Sequence, residues 1–342
     1  MVGGVDKIMN NKTYTVSIKM IGPVFIGGGE ILKKQNYIYD FHKSKVHMIN
    51  GPKFVKFLKT KGLSKQYQDF LRYPSKAPRE QGLKYFLDNN IQQNEWEKFI
   101  SHTEQVHQGK RSGNNQAKPL NDIQLIVRDG QGKVYIPGSS LKGALRTIIE
   151  SNFTGPKVDY NKIVVSDSKP IDEKNLAIYE KIDINKRDKP MPLYRECLDI
   201  DTEVEMILAI KDKVISIEDI EKCIRQFYKN YFDKWISGFK SSPGGKEFAL
   251  KGGIPENIKE PIIYMGGGAG FVSKTTHYQN HDKETAKKEA FNVLRNKFRK
   301  TYGKFKYIPD NVPIALKGTV NQSKNKWYQQ GMCTITFNEM IE

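Results

Sequence analysis

The 342-residue chain carries 56 lysines and arginines against 38 aspartates and glutamates, a formal net charge of +18. Its 38% hydrophobic and 11% aromatic residues supply enough apolar material for a folded core. No apolar run reaches the roughly 18 residues of a membrane span, and no apolar segment typical of a secretory signal occurs near the first residues. Three widely spaced cysteines, Cys197, Cys223 and Cys333, exclude a disulfide framework and a four-cysteine zinc site. We therefore expect a folded cytoplasmic protein with a polyanionic partner, nucleic acid above others.

The N-terminal part of the sequence has the pattern of strands and tight turns. Apolar and polar residues alternate over residues 13–21, which predicts a half-buried strand. Gly27, Gly28 and Gly29 follow it, and glycines permit positive φ and close approach of another backbone. Shorter strands are predicted at residues 37–41 and 45–49.

A polar segment with helical patterns comes next. These patterns lie at residues 66–71, 82–87 and 95–102. We interpret the segment as a helical insertion spanning about residues 61–118.

Strand patterns then resume and continue to residue 210. The predicted elements are strands at 123–127, 134–136, 162–166, 176–184 and 203–210, and a helix from Ser139 or Ser140 to about residue 152. Between them, residues 183–196 form a long, charged segment that we interpret as a hairpin.

The second half begins with a strongly amphipathic helix. Ser216 followed three residues later by Asp219 is typical of a capping box, and apolar residues at helical spacing continue to Trp235. A strand at 261–265, a basic helix at 283–300 and a strand at 332–337 follow. The order of elements predicts an α+β protein of two ferredoxin-like (RRM-like) units, with domains at residues 1–212 and 213–342.

The most informative stretch for chemistry is the start of the helix after residue 137. Free N–H groups, two serines, and Lys142 and Arg146 on one helix face together suit a phosphate group. A P-loop is excluded, since Ala144 and Leu145 stand where that motif requires Lys and Ser or Thr. An ordinary capped surface helix is the alternative.

The same stretch resembles the hallmark motif of the repeat-associated mysterious proteins (RAMPs) of CRISPR systems. The matching run is Pro137-Gly138-Ser139-Ser140-Leu141-Lys142-Gly143-Ala144-Leu145-Arg146. Two glycine turns agree with that family, Gly27-Gly28-Gly29 and Gly266-Gly267-Gly268-Ala269-Gly270. The length, the insertion and the late Ser273-Lys274-Thr275 are most similar to the family of fifth Csm subunits of type III-A effector complexes.

This resemblance implies two RRM-like RAMP units and an RNA partner. It implies a subunit, present once per complex, that caps the crRNA 3′ end beside the terminal backbone RAMP subunit, contacts crRNA and target RNA, and supports trimming by a host nuclease. It places the following residues at RNA: Gly27, Gly28, Gly29, Gly266, Gly267, Gly268, Gly270 and Lys274 along its backbone; Ser139, Ser140, Lys142, Gly143 and Arg146 at phosphates; Lys186, Arg187, Lys189 and Arg195 in a thumb-like hairpin.

The mode of RNA binding follows from what the sequence contains. No strand carries the paired aromatics with which an ordinary RRM stacks bases. We therefore expect recognition through phosphates and 2′-hydroxyls, which suits a protein that must accept any spacer sequence.

We expect neither catalytic activity nor a bound cofactor or metal. Glu30 lies near the position of the aspartate of the target-cleaving siblings, but no acid partner is evident beside it. His277 and His281 have a metal-compatible spacing if helical, yet no third strong ligand is evident. Two alternatives stay open: an endoribonuclease using Glu30 or this histidine pair, and a backbone RAMP subunit of a related type III complex.

Overall fold

The computed structural model describes residues 12–73, 82–109, 120–185, 188–255 and 258–340. Within these ranges the chain is an α+β fold in which helices pack against two curled sheets. The strands are β1 (Lys12–Met20), β2 (Gly27–Leu32), β3 (Tyr37–Asp40), β4 (Lys45–Ile49), β5 (Ile100–His107), β6 (Ile123–Ile126), β7 (Ile163–Val165), β8 (Leu176–Ile184), β9 (Asp188–Leu198), β10 (Glu203–Ile210), β11 (Ile262–Tyr264), β12 (Leu316–Asn321), β13 (Lys326–Gln329) and β14 (Met332–Glu339). The helices are α1 (Gly51–Thr60), α2 (Ser64–Arg72), α3 (Gly82–Asn90), α4 (Gly138–Asn152), α5 (Ile217–Tyr231), α6 (Ser237–Phe239), α7 (Pro243–Leu250), α8 (His277–Asn280), α9 (Lys283–Lys297) and α10 (Arg299–Tyr302).

The first sheet has the strand order β11-β14-β1-β10-β7. Its central strand β1 pairs antiparallel with β10 and β14, so that Val16 lies between Met206 and Phe337. Alternate residues of β1 are buried, as its period of two predicts. Helices α4 and α5 contact each other, and their apolar side chains share one core with this sheet. This arrangement of helices on an antiparallel sheet confirms the predicted α+β, ferredoxin-like fold.

The second sheet has the order β2-β6-β9-β8-β5-β4-β3, and β12 joins it by pairing with β8. Its longest element is the antiparallel hairpin of β8 and β9. Both sheets combine strands from before and after residue 212, since β14 lies beside β1 and β12 beside β8. The domain boundary at residue 212 stays a prediction.

Two of the further cores combine helices with strands. Tyr231, Trp235 and Phe239 continue the apolar stripe of α5 into a core shared with α7, α9 and β12. A separate core joins α1, α3 and the segment before β5, with aromatic contacts among Phe54, Phe57 and others. Helices α1 and α3 of this separate core lie on opposite sides of residue 61, where the predicted insertion begins.

Local predictions from periodicity are confirmed for most elements and wrong for some. Residues 176–184 form β8 and the Ser216–Asp219 capping box starts α5, both as predicted. The helix predicted at 95–102 is wrong: a 3₁₀-helix ends at Lys98, and β5 then pairs with β4 and in parallel with β8. The strand predicted at 134–136 is reduced to two isolated bridges of Val134, with Arg128 and Ile171, because the Ile136 N–H donates to the Ser168 side chain instead of to a neighbouring strand.

Among the helices of the described ranges, none combines the length and apolar character that crossing a bilayer requires.

Adjacent residues of β10 offer a test of the first sheet. Leu208 is 0% exposed in the core, whereas its neighbour Ile207 is 46% exposed on the opposite face. We expect Leu208→Ala to lower the free energy of unfolding by about 2–5 kcal/mol, because it leaves a cavity. Ile207→Ala is the matched control, with an expected loss under about 1 kcal/mol. Guanidinium unfolding of both variants measures the difference, and equal losses would contradict this assignment of faces.

Candidate nucleic-acid interface

The two glycine turns predicted from the sequence meet at Phe25. The Gly267 N–H donates to the Phe25 carbonyl oxygen at 2.6 Å. Gly266 has φ +72°, and a Cβ there would lie 2.1 Å from the same oxygen. At Gly27 a Cβ would lie 2.9 Å from the Phe25 ring. Both turns therefore need glycine for close packing, and their backbones converge on one surface.

Arg195 of β9 lies on this junction. Its guanidinium stacks over the Phe25 ring at 5.1 Å from the centroid. Its Nε donates to Gln124 Oε1 and its Nη1 to Gln330 Oε1, both at 3.1 Å. Burial lowers the pKa of Arg195 from its ordinary value. Because both hydrogen-bond acceptors are neutral amides, the positive charge is positioned without being cancelled by them.

Three lysines extend this positive charge. Lys181 Nζ and Lys317 Nζ lie 3.4 and 2.8 Å from the same oxygen, Asp183 Oδ1. Burial, and next the Lys317 cation, lower the pKa of Lys181; burial and then Arg195 lower that of Lys274. We call Lys181, Arg195, Lys274 and Lys317 the basic cluster. Its like charges repel one another, so a bound anion would relieve that repulsion.

The second glycine turn borders the basic cluster directly. A Cβ at Gly268, where φ is +96°, would lie 2.3 Å from Arg195 Nη1. At Gly270, where φ is +101°, a Cβ would lie 3.5 Å from Lys317 Cγ. The structure thus brings together Arg195, Lys274 and both glycine turns among the residues predicted from the sequence.

The helix of the hallmark motif, α4, has a different set of neighbours. The N–H of Gly138 donates to Asp167 Oδ1 at 2.7 Å, so a carboxylate already occupies one of its free donors. Arg146 Nε donates to Glu150 Oε1 at 2.8 Å, and its guanidinium lies 5.0 Å from the Tyr160 ring centroid. Lys142 is partly buried. The remaining predicted residues of this helix are Ser139, Ser140 and Gly143, of which Ser139 and Gly143 are exposed.

The predicted thumb-like hairpin corresponds to β8 and β9. Lys189 belongs to β9 and stands opposite Asp183 in the ladder, while Arg195 stands opposite Tyr179 farther along. Lys186 and Arg187 lie outside the described residues. Strands β8 and β9 therefore contribute two members of the basic cluster, Lys181 and Arg195.

A buried polar group lies elsewhere in the second sheet. His102 Nε2 contacts Glu104 Oε1 at 3.0 Å, and Arg128 forks onto Glu196 at 2.6 and 2.7 Å. His102, Glu104 and Glu196 are close enough to share a metal ion. Arg128 already supplies the positive charge that Glu196 needs. Burial, and next the Glu196 charge, raise the pKa of Glu104 well above its ordinary value, which favours the protonated form of Glu104. We assign these residues to the structural core.

The residues of the open catalytic alternative lie on different elements. Glu30 is exposed at the surface of β2. His277 Nδ1 and His281 Nε2 lie 3.7 and 3.3 Å from Glu289 Oε2. Helix α8 ends at Asn280, so the two histidines do not share one continuous helix.

Sequence reasoning missed several residues of this interface. Lys181 and Lys317 are separated by more than a hundred positions and meet because β12 pairs with β8. Phe25, Gln124 and Gln330 position Arg195 from three different segments. The signal that was available is local: Lys181 lies within a predicted strand next to the charged hairpin, and Phe25 precedes the first glycine turn.

The α+β fold and the two converging glycine turns are consistent with the RAMP resemblance of the sequence. Comparison with known proteins agrees with this class. The family model of the RAMP superfamily matches residues 17–331. CRISPR system Cms protein Csm5 of Enterococcus italicus is 46% identical over 98% of this chain and 100% of its own length. The protein of the same name from Streptococcus thermophilus is 31% identical, covering 78% of this chain and 81% of its own length. The chain belongs to the Csm5 family of the RAMP superfamily.

Solved structures share the fold. A chain from a cryo-EM structure of a type III-A Csm–crRNA–target RNA ternary complex superposes with a TM-score of 0.62 at 14% identity, over 94% of this chain and 100% of that one. The crystal structure of T. onnurineus Csm5 gives 0.59 at 15% identity, over 93% and 99%. The predicted pair of ferredoxin-like units with an insertion is consistent with both.

Two glycines test the close approach at Phe25. We expect Gly266→Ala to destabilise the protein strongly, since its Cβ would meet a backbone carbonyl that cannot rotate away. Gly29→Ala is the matched control, because Gly29 also has positive φ (+89°) but has open space around it. Its expected cost is about 1 kcal/mol, from backbone strain alone. Thermal unfolding of both variants measures the difference, and a Gly29 variant at least as unstable would contradict the role of Phe25.

The proton on Glu104 predicts a pH dependence of stability. The folded state binds this proton more tightly than the unfolded chain does, so the stabilisation is complete below the ordinary glutamate pKa. It is lost as the pH rises toward the raised pKa. We expect Glu104→Gln to flatten this decline in the pH range above the ordinary glutamate pKa.

Guanidinium midpoints across this range measure the slope. Glu205→Gln, at an exposed position on β10, is the control and should leave the slope of the unaltered protein in place. A Glu104→Gln variant with an unchanged slope would show that Glu104 is ionised in the folded state.

Proposed function

We propose that this protein is a non-catalytic RNA-binding subunit of a type III-A CRISPR effector complex. In this role it caps the crRNA at its 3′ end beside the terminal backbone RAMP subunit and contacts guide and target RNA. Membership of the Csm5 family supports the assignment to the complex. A fold shared with a chain of a Csm–crRNA–target RNA complex is consistent with it.

The basic cluster at the glycine turn is the observation that carries the RNA-binding role. Lys181 and Lys317 share a single carboxylate, and the acceptors of Arg195 are neutral. In the adjoining turn, a Cβ at Gly270 would meet only Lys317 Cγ, at 3.5 Å, so a sugar–phosphate backbone can approach the turn at this position, beside the lysine. Positive charge beside bare backbone suits a phosphate, whatever base it bears.

A capping role connects this interface with crRNA maturation. A subunit that covers the end of the guide protects the covered nucleotides from trimming and so sets the length of the mature RNA. The host nuclease that trims the rest, and a contact between it and this subunit, stay predictions. So does phosphate binding by Lys142 and Arg146 of α4.

A salt series with single-stranded RNA tests the basic cluster. We expect Lys181→Gln/Lys317→Gln to weaken binding and to reduce the slope of log affinity against log salt by about 1.4, or about 0.7 for each lost phosphate contact. The matched control is Lys162→Gln/Lys174→Gln, which removes the same charge from two exposed, aspartate-paired lysines. Equal slope changes in the two variants would show that only the net charge matters and would contradict a binding site at the basic cluster.

A parallel variant, Lys142→Gln/Arg146→Gln, assigns the contribution of α4. If it alone changes the slope, the interface lies on that helix and the basic cluster is not the RNA site.

The non-catalytic role predicts intact RNA after incubation with the purified protein and divalent metal. A denaturing gel measures this directly. Discrete fragments that disappear in Glu30→Ala or His281→Ala would overturn the proposal in favour of a ribonuclease.

A further inference from the structure

A cavity of about 670 Å³ opens beside the basic cluster. It lies between the β8–β9 hairpin, β12 and the end of α9. Trp235, Leu294 and Tyr302 form its buried apolar part, and Phe298 stands at its exposed side. Lys181 and Lys317 line the same cavity. Its volume falls within the range of small-molecule sites, about 300–1,000 Å³.

The polar atoms of the inner wall are already hydrogen-bonded within the protein. Trp235 Nε1 donates to the Pro313 carbonyl oxygen at 3.2 Å, and the Tyr302 hydroxyl accepts from the Ile314 N–H at 3.1 Å. The wall therefore presents apolar and aromatic surface. An occupant gains by burying a flat apolar group there rather than by hydrogen bonding to the floor.

Charge at the rim restricts the occupant further. Lys181 and Lys317 share one carboxylate, Asp183, which leaves one net positive charge. Arg195 is a second positive charge nearby, close enough to lower the pKa of Lys181. A ligand that fits both parts has an anionic group joined to a flat aromatic group by a short linker. A nucleotide has this construction, and base stacking on aromatic side chains is a general mode of single-strand binding.

We propose that this cavity holds the base of one nucleotide against Phe298, with the phosphate of that nucleotide on Lys181 and Lys317. The inference rests on the proposed RNA-binding function and deepens it: one nucleotide is taken out of the strand, while its neighbours are held by their phosphates. Contacts to an apolar wall do not distinguish bases by hydrogen bonding, so the site tolerates any sequence.

Free nucleotide and RNA are separate arms of the test. Titration of the full chain with adenosine 5′-monophosphate, adenosine and inorganic phosphate measures the two halves of the site. We expect the monophosphate to bind more tightly than either fragment. In the RNA arm, an oligouridine carries a single 2-aminopurine, either at its 3′ end or at its centre, and stacking quenches the fluorescence of this base.

Phe298→Ala is the diagnostic variant, because Phe298 is 49% exposed and its loss spares the core. We expect it to weaken binding of the monophosphate by at least about fivefold and to abolish the quenching. Phe298→Tyr should restore both signals. Val293→Ala, at a 41% exposed position on the adjoining helix α9 and outside the cavity, should change neither.

The outcomes separate the two proposals. Salt-steep RNA binding with quenching that Phe298→Ala leaves unchanged overturns the base site and leaves the RNA-binding function standing. Absence of salt-steep RNA binding overturns the RNA-binding function. The monophosphate titration then still tests whether the cavity binds a nucleotide. Monophosphate binding no tighter than phosphate, or preferential capture of anionic lipid vesicles, would refute a nucleotide as the occupant.

Discussion

The close approach of two backbones at Phe25 is the constraint on which the interface depends. Gly266 and Gly267 reach the Phe25 carbonyl because they have no Cβ, and the hydrogen bond from Gly267 fixes the distance. The Phe25 ring is thereby held beneath Arg195, whose guanidinium two glutamine amides orient. A missing side chain at one position thus determines where a positive charge stands at another.

The carboxylates around the basic cluster are arranged differently from those beside several exposed cations. Lys19 stands beside Glu203 and Arg146 beside Glu150, each with a carboxylate of its own. Such exposed pairs contribute little to stability but leave little charge available for a ligand. In the basic cluster, Lys181 and Lys317 share Asp183, and Arg195 is held by amides. The excess of 18 positive charges indicates a polyanionic partner, and the basic cluster is where we propose that it binds.

Much of the fold could be predicted from local sequence patterns. The alternation of β1, the capping box of α5 and the glycine turns are properties of neighbouring residues, and the structure contains all three. The failures have non-local causes. β5 is a strand because β4 and β8 pair with it from either side, which its own helical pattern does not reveal. Asp167 reaches the start of α4 from 29 residues away, and Lys317 reaches Lys181 through the pairing of β12 with β8.

The pairing of β1 with β14 has a consequence for how the chain is made. During synthesis β1 and β10 emerge long before β14, so one edge of β1 lacks its ladder partner until residues 332–339 have left the ribosome. An unpaired edge is a template for pairing with another chain, and pairing across such a sequence distance is slow. A nascent or prematurely terminated chain therefore carries an open, aggregation-prone strand, which makes it a substrate for chaperones and proteases until translation is complete.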